Sequence, residues 1–347
     1  MNEKILFIGG CGHGKETVNG VSAKNYFLLS RIRELYYNVK TVDTDGWKRN
    51  PLILLRLVLF LIIFQRYKII ISLNTPSAYK FVKVAYRLFP KRHICYFVIG
   101  GVIADYLKEG KMSPEPFRCV NWFLVESNKM KDDMKALGFT NVLRVPNFKN
   151  IPAIPKKKII DEREGIRFVF LSRIIPEKGC NDIIDAFTIL NQEGWKEHIS
   201  VDFYGQIDKT YKSRFMQRLS ETENAFYRGF IDLRNADNYS TLATYHVMLF
   251  PTFWHGEGFP GIIIDAFIAG LPVIASDWGH NRELVDEGDT GLIIPTQCVD
   301  ILAEKIKHLA AHPDEIARMG KLCQVRACDY DAKTVLSKAF MDSILHS

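Results

Sequence analysis

The chain has 347 residues, of which 47% are hydrophobic, 24% charged and 12% aromatic. That excludes a disordered, collagen-like or disulfide-stapled protein and gives the length of two ordinary domains. The net charge of +7 is uneven: residues 1–155 hold 24 Lys and Arg against 11 Asp and Glu, whereas residues 156–347 hold 22 against 28. A basic first half suits an anionic partner such as a lipid headgroup, a phosphate or a nucleic acid, and it equally suits a solvated lysine-rich surface. The seven cysteines, Cys11, Cys95, Cys119, Cys180, Cys298, Cys323 and Cys328, are scattered without a Cys-x-x-Cys pair, which fits a reducing compartment and no zinc ribbon.

MNEKILFIGG has no basic leader or cleavage site and reads as an immediate β-strand, so the expected location is the cytoplasm. A helix follows over Ser22 to Tyr37 with Tyr26, Leu29, Ile32 and Tyr36 along one face, then the strand NVKTVD. Residues 52–64 are apolar apart from Arg56. At 13 residues they are too short to span a bilayer, and they read as a buried helix or as a segment lying among headgroups. The runs KIIISL, HICYFVIGG and NWFLVES continue a βαβ pattern. Pro146, Pro152 and Pro155 flank Lys156, Lys157 and Lys158 in a linker ending at the acidic DERE, which places the boundary between domains 1–155 and 156–328. Strands then restart at IRFVFLSR, SVDFYG, AFYRGF, HVMLFP, LPVIAS and GLIIP, with helices between, one of them over Asp182 to Gln192. The predicted fold is α/β, with two Rossmann-like units in succession.

Several motifs bear on chemistry. GGCGHGKE places Gly9, Gly14 and Lys15 as in a P-loop, but Glu16 stands where a hydroxyl must reach magnesium, and Lys15 stands where a dinucleotide fingerprint needs its third glycine. What remains is a glycine-rich loop ending at Asn19 and Gly20, where a phosphate can approach a helix N-terminus; Asn-Gly is also an ordinary turn. Asp43-Thr44-Asp45 matches a manganese-binding D-x-D, but its place just after a strand favours a solvated turn. In LSRIIPEKG, Arg173 and Lys178 converge on a helix N-terminus at the carboxyl end of a strand, which makes an anion site. In PTFWHGEGFPGIIIDAF the helix opens at Pro260, leaving the amides of Gly258, Phe259, Gly261 and Ile262 to phosphate oxygens. Glu257 and Asp265 bracket that loop, as carboxylates that accept hydrogen bonds from sugar and ribose hydroxyls do without a metal; acids favoured by a helix dipole would look the same.

LSRIIPEKG together with EGFPGIIIDAFIAGLPVIASDWGHNRELVDEGDTGLIIP resembles the retaining glycosyltransferases of family 4, and the form EGFPGxxxDA resembles bacterial capsule and exopolysaccharide enzymes. The resemblance covers residues 168–296 and implies a GT-B fold, two Rossmann-like domains facing a cleft, with a final helix around Lys333 to Leu345 (residues 329–347) returning to the first domain. It implies that Arg173 and Lys178 hold the donor diphosphate, that Glu257 contacts the donor sugar and that Asp265 contacts the ribose. It further implies a UDP- or GDP-sugar donor, no cofactor and no metal, and a saccharide acceptor carried on a polyprenyl diphosphate at the inner face of a membrane, with no nucleic acid as partner. Asp265 stands where relatives have Glu, and Gly100 and Gly101 stand where many relatives carry a histidine near the reacting carbon, a part His13 is placed to take. A nucleotide-sugar epimerase of the same fold, a P-loop-like NTPase and a non-catalytic carbohydrate-binding protein are the rival readings.

Overall fold

The computed structural model describes residues 3–11, 20–47, 50, 52–151, 155 and 165–346. Two compact units result: Met1–Asn150 with Tyr330–Ser347, and Ile151–Asp329.

The first unit begins with β1 (Lys4–Gly9), α1 (Gly20–Leu35), β2 (Asn38–Asp43), α2 (Leu52–Ile63), β3 (Lys68–Asn74) and α3 (Thr75–Leu88). It continues with β4 (Ile94–Ile99), α4 (Ile103–Lys108), β5 (Trp122–Val125), α5 (Asn128–Ala136) and β6 (Val142–Arg144). The strands form one parallel sheet in the order β2-β1-β3-β4-β5-β6, with Ile5 facing Val39 on one side and Lys68 on the other. Ile5 to Ile8, Ile69 to Ile71 and Ile94 to Val98 are buried on both sheet faces, which is why these strands read as continuous apolar runs and do not alternate. The three-residue β6 was too short to register in the sequence pattern.

The buried face of α1 differs from the expected one. Tyr26 points outward, and Asn25, Leu28, Leu29, Ile32 and Tyr36 face inward. Asn25 decides this orientation, because its side-chain amide donates to the carbonyls of Gly10 (2.9 Å) and Ser72 (3.0 Å) at the carboxyl ends of β1 and β3. Beside it Lys24 is buried against Glu126, with Nζ 2.6 Å from Oε1. Asp43 accepts the amides of Cys11 (3.2 Å) and Asp45 (2.9 Å), so this D-x-D is a turn clasp. The P-loop-like residues Gly14, Lys15 and Glu16, together with His13, Asn19, Pro152 and the linker lysines 156–158, lie outside the described residues.

The helix α2 departs most from expectation. It is not a buried helix: Leu61, Leu57 and Phe60 pack on the sheet, while Leu52, Leu55, Val58, Leu59, Ile62 and Ile63 are 44–67% exposed. The sheet can cover only one side of a helix whose residues are all apolar except Arg56.

The second unit begins with β7 (Ile166–Leu171), α6 (Cys180–Gln192), β8 (Ile199–Tyr204), α7 (Lys212–Ser220), β9 (Ala225–Tyr227) and α8 (Asn238–Leu242). Next come β10 (Val247–Phe250), α9 (Gly261–Ile268), β11 (Val273–Ser276), α10 (Asn281–Leu284), β12 (Gly291–Ile294), α11 (Val299–Ala311) and α12 (Pro313–Ala327). Its parallel sheet has the order β12-β11-β10-β7-β8-β9, so the chain winds one way from β7 and the other way from β10. The C-terminal segment then packs in the first unit as two short helices, α13 (Ala332–Val335) and α14 (Lys338–His346), where the sequence suggested one. Leu336, Met341, Ile344 and Leu345 fill the core beside Ile5, Phe7 and Phe27, and Tyr36 donates to Asp342 at 2.7 Å. All seven cysteines are free thiols.

Removing one partner of the Lys24–Glu126 pair strands a buried charge, so Glu126→Leu should destabilise the protein by about 3–5 kcal/mol. Replacing both partners, Lys24→Met with Glu126→Leu, should restore much of the thermal midpoint. Thermal unfolding of the three proteins followed by circular dichroism checks this.

Candidate active site

In an open parallel sheet, loops diverge where the strand order reverses, and a crevice opens at the carboxyl ends of the two strands involved. In the second unit that point lies between β7 and β10, which pair directly through Val247 with Phe168 and Met248 with Val169. The segments that follow these strands, 172–179 and 251–260, carry the motifs singled out in the sequence.

The two loops are locked together by backbone. The amide of Phe253 donates to the carbonyl of Glu177 at 2.8 Å. Gly179 has φ of +78°, and a Cβ there would lie 2.3 Å from the Pro251 carbonyl oxygen, so only glycine permits the approach. The requirement for glycine at 179 therefore comes from loop packing. With the loops pinned, the short 3₁₀ turn Pro176–Lys178 delivers the Lys178 side chain inward. Lys178 is 6% exposed, its ammonium donates to Oε2 of Glu257, and it lies 5.4 Å from the Phe250 ring centroid. Thr252, fully buried at the end of β10, donates to the same Glu257 oxygen at 3.0 Å. Arg173 stays exposed with its guanidinium 5.1 Å from the centre of the Trp254 ring. A third loop joins from β11: the Ser276 hydroxyl donates to the Thr252 carbonyl, and the Trp278 indole donates to the Trp254 carbonyl at 2.7 Å.

The structure therefore brings Arg173, Lys178 and Glu257 to one edge, with two helix N-termini, those of α6 and α9, following the same loops. Pro260 is the extended N-cap residue of α9 (φ −74°, ψ 105°), one position before the helix and not in its first turn. The amide of Ile263 is returned to the Pro260 carbonyl at 3.2 Å, while Gly258, Gly261 and Ile262 are partly exposed at the loop and Phe259 is buried. Asp265 is only 2% exposed, and Tyr239 on α8 donates to its Oδ1 at 2.5 Å. Burial, and then the neighbouring Asp265 charge, raise the Tyr239 hydroxyl well above its ordinary pKa, so it is a permanent donor. Gly20 and the Gly100-Gly101 pair belong to the first unit: Gly20 opens α1, and Gly100 has φ of +85° with open space where a Cβ would stand. Thr252, Tyr239 and Trp254 escaped the sequence reading. Thr252 at a strand end had a detectable signal, whereas Tyr239 had none, because nothing local ties it to a residue 26 positions away.

Among the described residues one His/Glu group has metal-ligand spacing: His308, His312 and Glu315 at the α11–α12 junction, with ligand atoms within 4.8 Å of one another. It belongs to none of these three loops.

The family model "Glycosyl transferases group 1" matches residues 165–312. The capsular polysaccharide biosynthesis glycosyltransferase CapM of Staphylococcus aureus is 26% identical over 140 residues, 40% of this chain and 35% of that protein. A phosphatidyl-myo-inositol mannosyltransferase of Mycobacterium tuberculosis is 23% identical over 206 residues, 56% of this chain and 50% of that protein. The chain thus spans half or less of the length of the curated relatives it matches. Among solved structures, Alr3699/HepE of Anabaena in complex with UDP superposes with a TM-score of 0.72 at 16% identity, covering 99% of this chain and 100% of that one. Sucrose-phosphate synthase from Thermosynechococcus elongatus gives a TM-score of 0.76 at 15% identity, covering 100% of both chains. The fold is GT-B. The chain carries a group 1 glycosyltransferase domain, and its homologues are capsular polysaccharide and other bacterial glycosyltransferases.

Asp182, in the first turn of α6, has a buried Oδ2 without a hydrogen-bond partner, and burial followed by the Asp185 charge pushes its pKa up to about 6. A raised carboxyl pKa means the native state favours the neutral form, so stability is lost as pH rises from the unfolded value near 4 through 6. Asp182→Asn should therefore raise stability by about 1 kcal/mol at pH 7.5, after allowance for solvent screening, and by nothing at pH 4. Thermal midpoints of both proteins across that range measure it.

Proposed function

We propose that this protein is a retaining, metal-independent glycosyltransferase that moves a sugar from a UDP- or GDP-sugar to a saccharide acceptor carried on a polyprenyl diphosphate, in surface polysaccharide synthesis. The observation that carries the reading is the Arg173, Lys178 and Glu257 constellation at the strand-order reversal, facing two helix N-termini. Cations and helix amides at one edge suit a diphosphate, and a carboxylate beside them suits sugar hydroxyls. Support also comes from Alr3699/HepE, solved with UDP-glucose, and from CapM, named for capsule biosynthesis.

In this reading the donor diphosphate lies against Arg173 and the amides of the α9 loop. Lys178, held by Glu257, supplies positive charge whose value grows as the diphosphate departs. Glu257 accepts from donor-sugar hydroxyls, and Asp265, oriented by Tyr239, accepts from the ribose. The acceptor hydroxyl attacks from the side the diphosphate leaves. As the new C–O bond forms and the sugar–phosphate bond breaks, the acceptor proton passes to a departing phosphate oxygen. No protein nucleophile is required, and Gly100-Gly101 leaves backbone where relatives carry a histidine.

Arg173→Ala and Lys178→Ala should each lower kcat/KM roughly 10- to 150-fold, the effect of losing a charged hydrogen bond of about 1.5–3 kcal/mol. Glu257→Gln should depress kcat with UDP or GDP affinity retained, whereas Asp265→Asn should weaken the nucleotide. Steady-state kinetics and nucleotide titration separate these effects, and product analysis distinguishes transfer from isomerisation of the donor sugar. Turnover should also survive EDTA; complete loss restored by manganese would overturn the metal-independent reading.

A further inference from the structure

An uncovered apolar surface on the first unit calls for an occupant. The helix α2 is apolar apart from the exposed Arg56, and among its described residues the side bearing Leu57, Phe60 and Leu61 meets the core. The other side, from Leu52 through Leu55, Val58, Leu59 and Ile62 to Ile63, faces outward. It cannot roll to hide that side, because the Arg92 guanidinium binds the carbonyls of Leu61 (3.0 Å), Phe64 (2.9 Å) and Tyr67 (2.8 Å) at its carboxyl end. Leu61 shares one core cluster with Ala78, Phe81, Val82 and Ala85 of α3, which puts both helices on the same face of the sheet. The exposed side of α3 carries Lys80, Lys83 and Arg87, followed by Lys91 just beyond the helix, with Val84 and Leu88 exposed among them. From residue 46 to residue 104 the chain holds ten Lys and Arg and not one Asp or Glu.

We propose that α2 and the outer face of α3 form a membrane-docking surface, with the exposed side of α2 lying in the headgroup region of an anionic bilayer. Twelve helical residues extend roughly 18 Å, too short to cross a hydrocarbon core of about 30 Å, so the helix lies in the plane of the interface. Its apolar side enters the acyl boundary while the α3 cations meet lipid phosphates. Charge selects this occupant over a second copy of the chain, which would set one cation-rich surface, its nearest acid the Glu115 bound to Tyr86, against another. The proposal does not depend on the transfer reading, although it would hold the enzyme where a lipid-linked acceptor resides.

Co-sedimentation with phosphatidylcholine vesicles containing phosphatidylglycerol tests it. The protein should pellet at 0.1 M salt and only partly release at about 0.5 M, because screening weakens the cationic contacts and leaves the apolar one. Leu55→Gln/Leu59→Gln/Ile62→Gln should reduce vesicle partitioning at least tenfold at both salts, and Lys80→Glu/Lys83→Glu/Arg87→Glu should abolish the anionic-lipid preference. Far-UV circular dichroism and the thermal shift given by UDP or GDP, unchanged in the glutamine variant, separate lost docking from lost folding and from failure of the nucleotide-sugar reading. On the wild-type protein, brominated phosphatidylglycerol should quench Trp47, which sits just before α2, and the quenching should disappear in Trp47→Phe. The proposal is overturned if the wild-type protein stays in the supernatant, if the glutamine variant pellets like wild type, or if sedimentation equilibrium shows a dimer that this variant dissociates.

Discussion

A lysine ammonium cannot be buried without a counter-charge, and in the second unit that constraint organises everything around it. Lys178 and Glu257 lie 79 residues apart and come from different strand–loop–helix units. Their pairing requires that the segments after β7 and β10 run in contact, and this in turn requires a glycine at 179 and an amide-to-carbonyl bond from Phe253 to Glu177. The Thr252 hydroxyl holds the carboxylate from the other side, and Ser276 holds Thr252. A cation, a carboxylate and the mouths of two helices are thereby held at the reversal of strand order, each kept in place by groups that serve no chemistry themselves.

The first unit solves a parallel problem with different means. Its strand order reverses between β1 and β3, and there Asn25 binds the carbonyls of Gly10 and Ser72 while Lys24 is buried on Glu126. These contacts settle the orientation of α1 more firmly than its apolar spacing does, which is why Tyr26 turns outward although its position fits a helical stripe. The opposite face of the same sheet carries α2 and α3, two helices that contribute cations and uncovered apolar side chains but no acid of their own. One domain thus presents a strand edge tied by buried polar contacts and, on another surface, an apolar and basic face.

The Asp265–Tyr239 pair shows how a short acid is accommodated. Asp reaches about one C–C bond less far than Glu. Here the buried carboxylate is met from α8 by a phenol that burial keeps protonated, so one oxygen is held and the side chain is oriented.

By itself the sequence determined the fold class and the positions of eleven strands as apolar runs, and it singled out Arg173, Lys178 and Glu257, which the structure brings to one edge. Each of these is written in local spacing: a buried parallel strand must be apolar on both faces, and an anion site at a strand end must place its cations a few residues on. Tertiary structure decided what no local pattern encodes. It paired Lys178 with Glu257, gave Asp265 its partner Tyr239, made glycine at 179 a packing necessity, split the final helix in two, and left α2 half uncovered. The physical reason is common to all of them: the energy of a buried charge, a close backbone approach or an apolar face depends on what lies opposite, and what lies opposite is set by the order in which strands assemble.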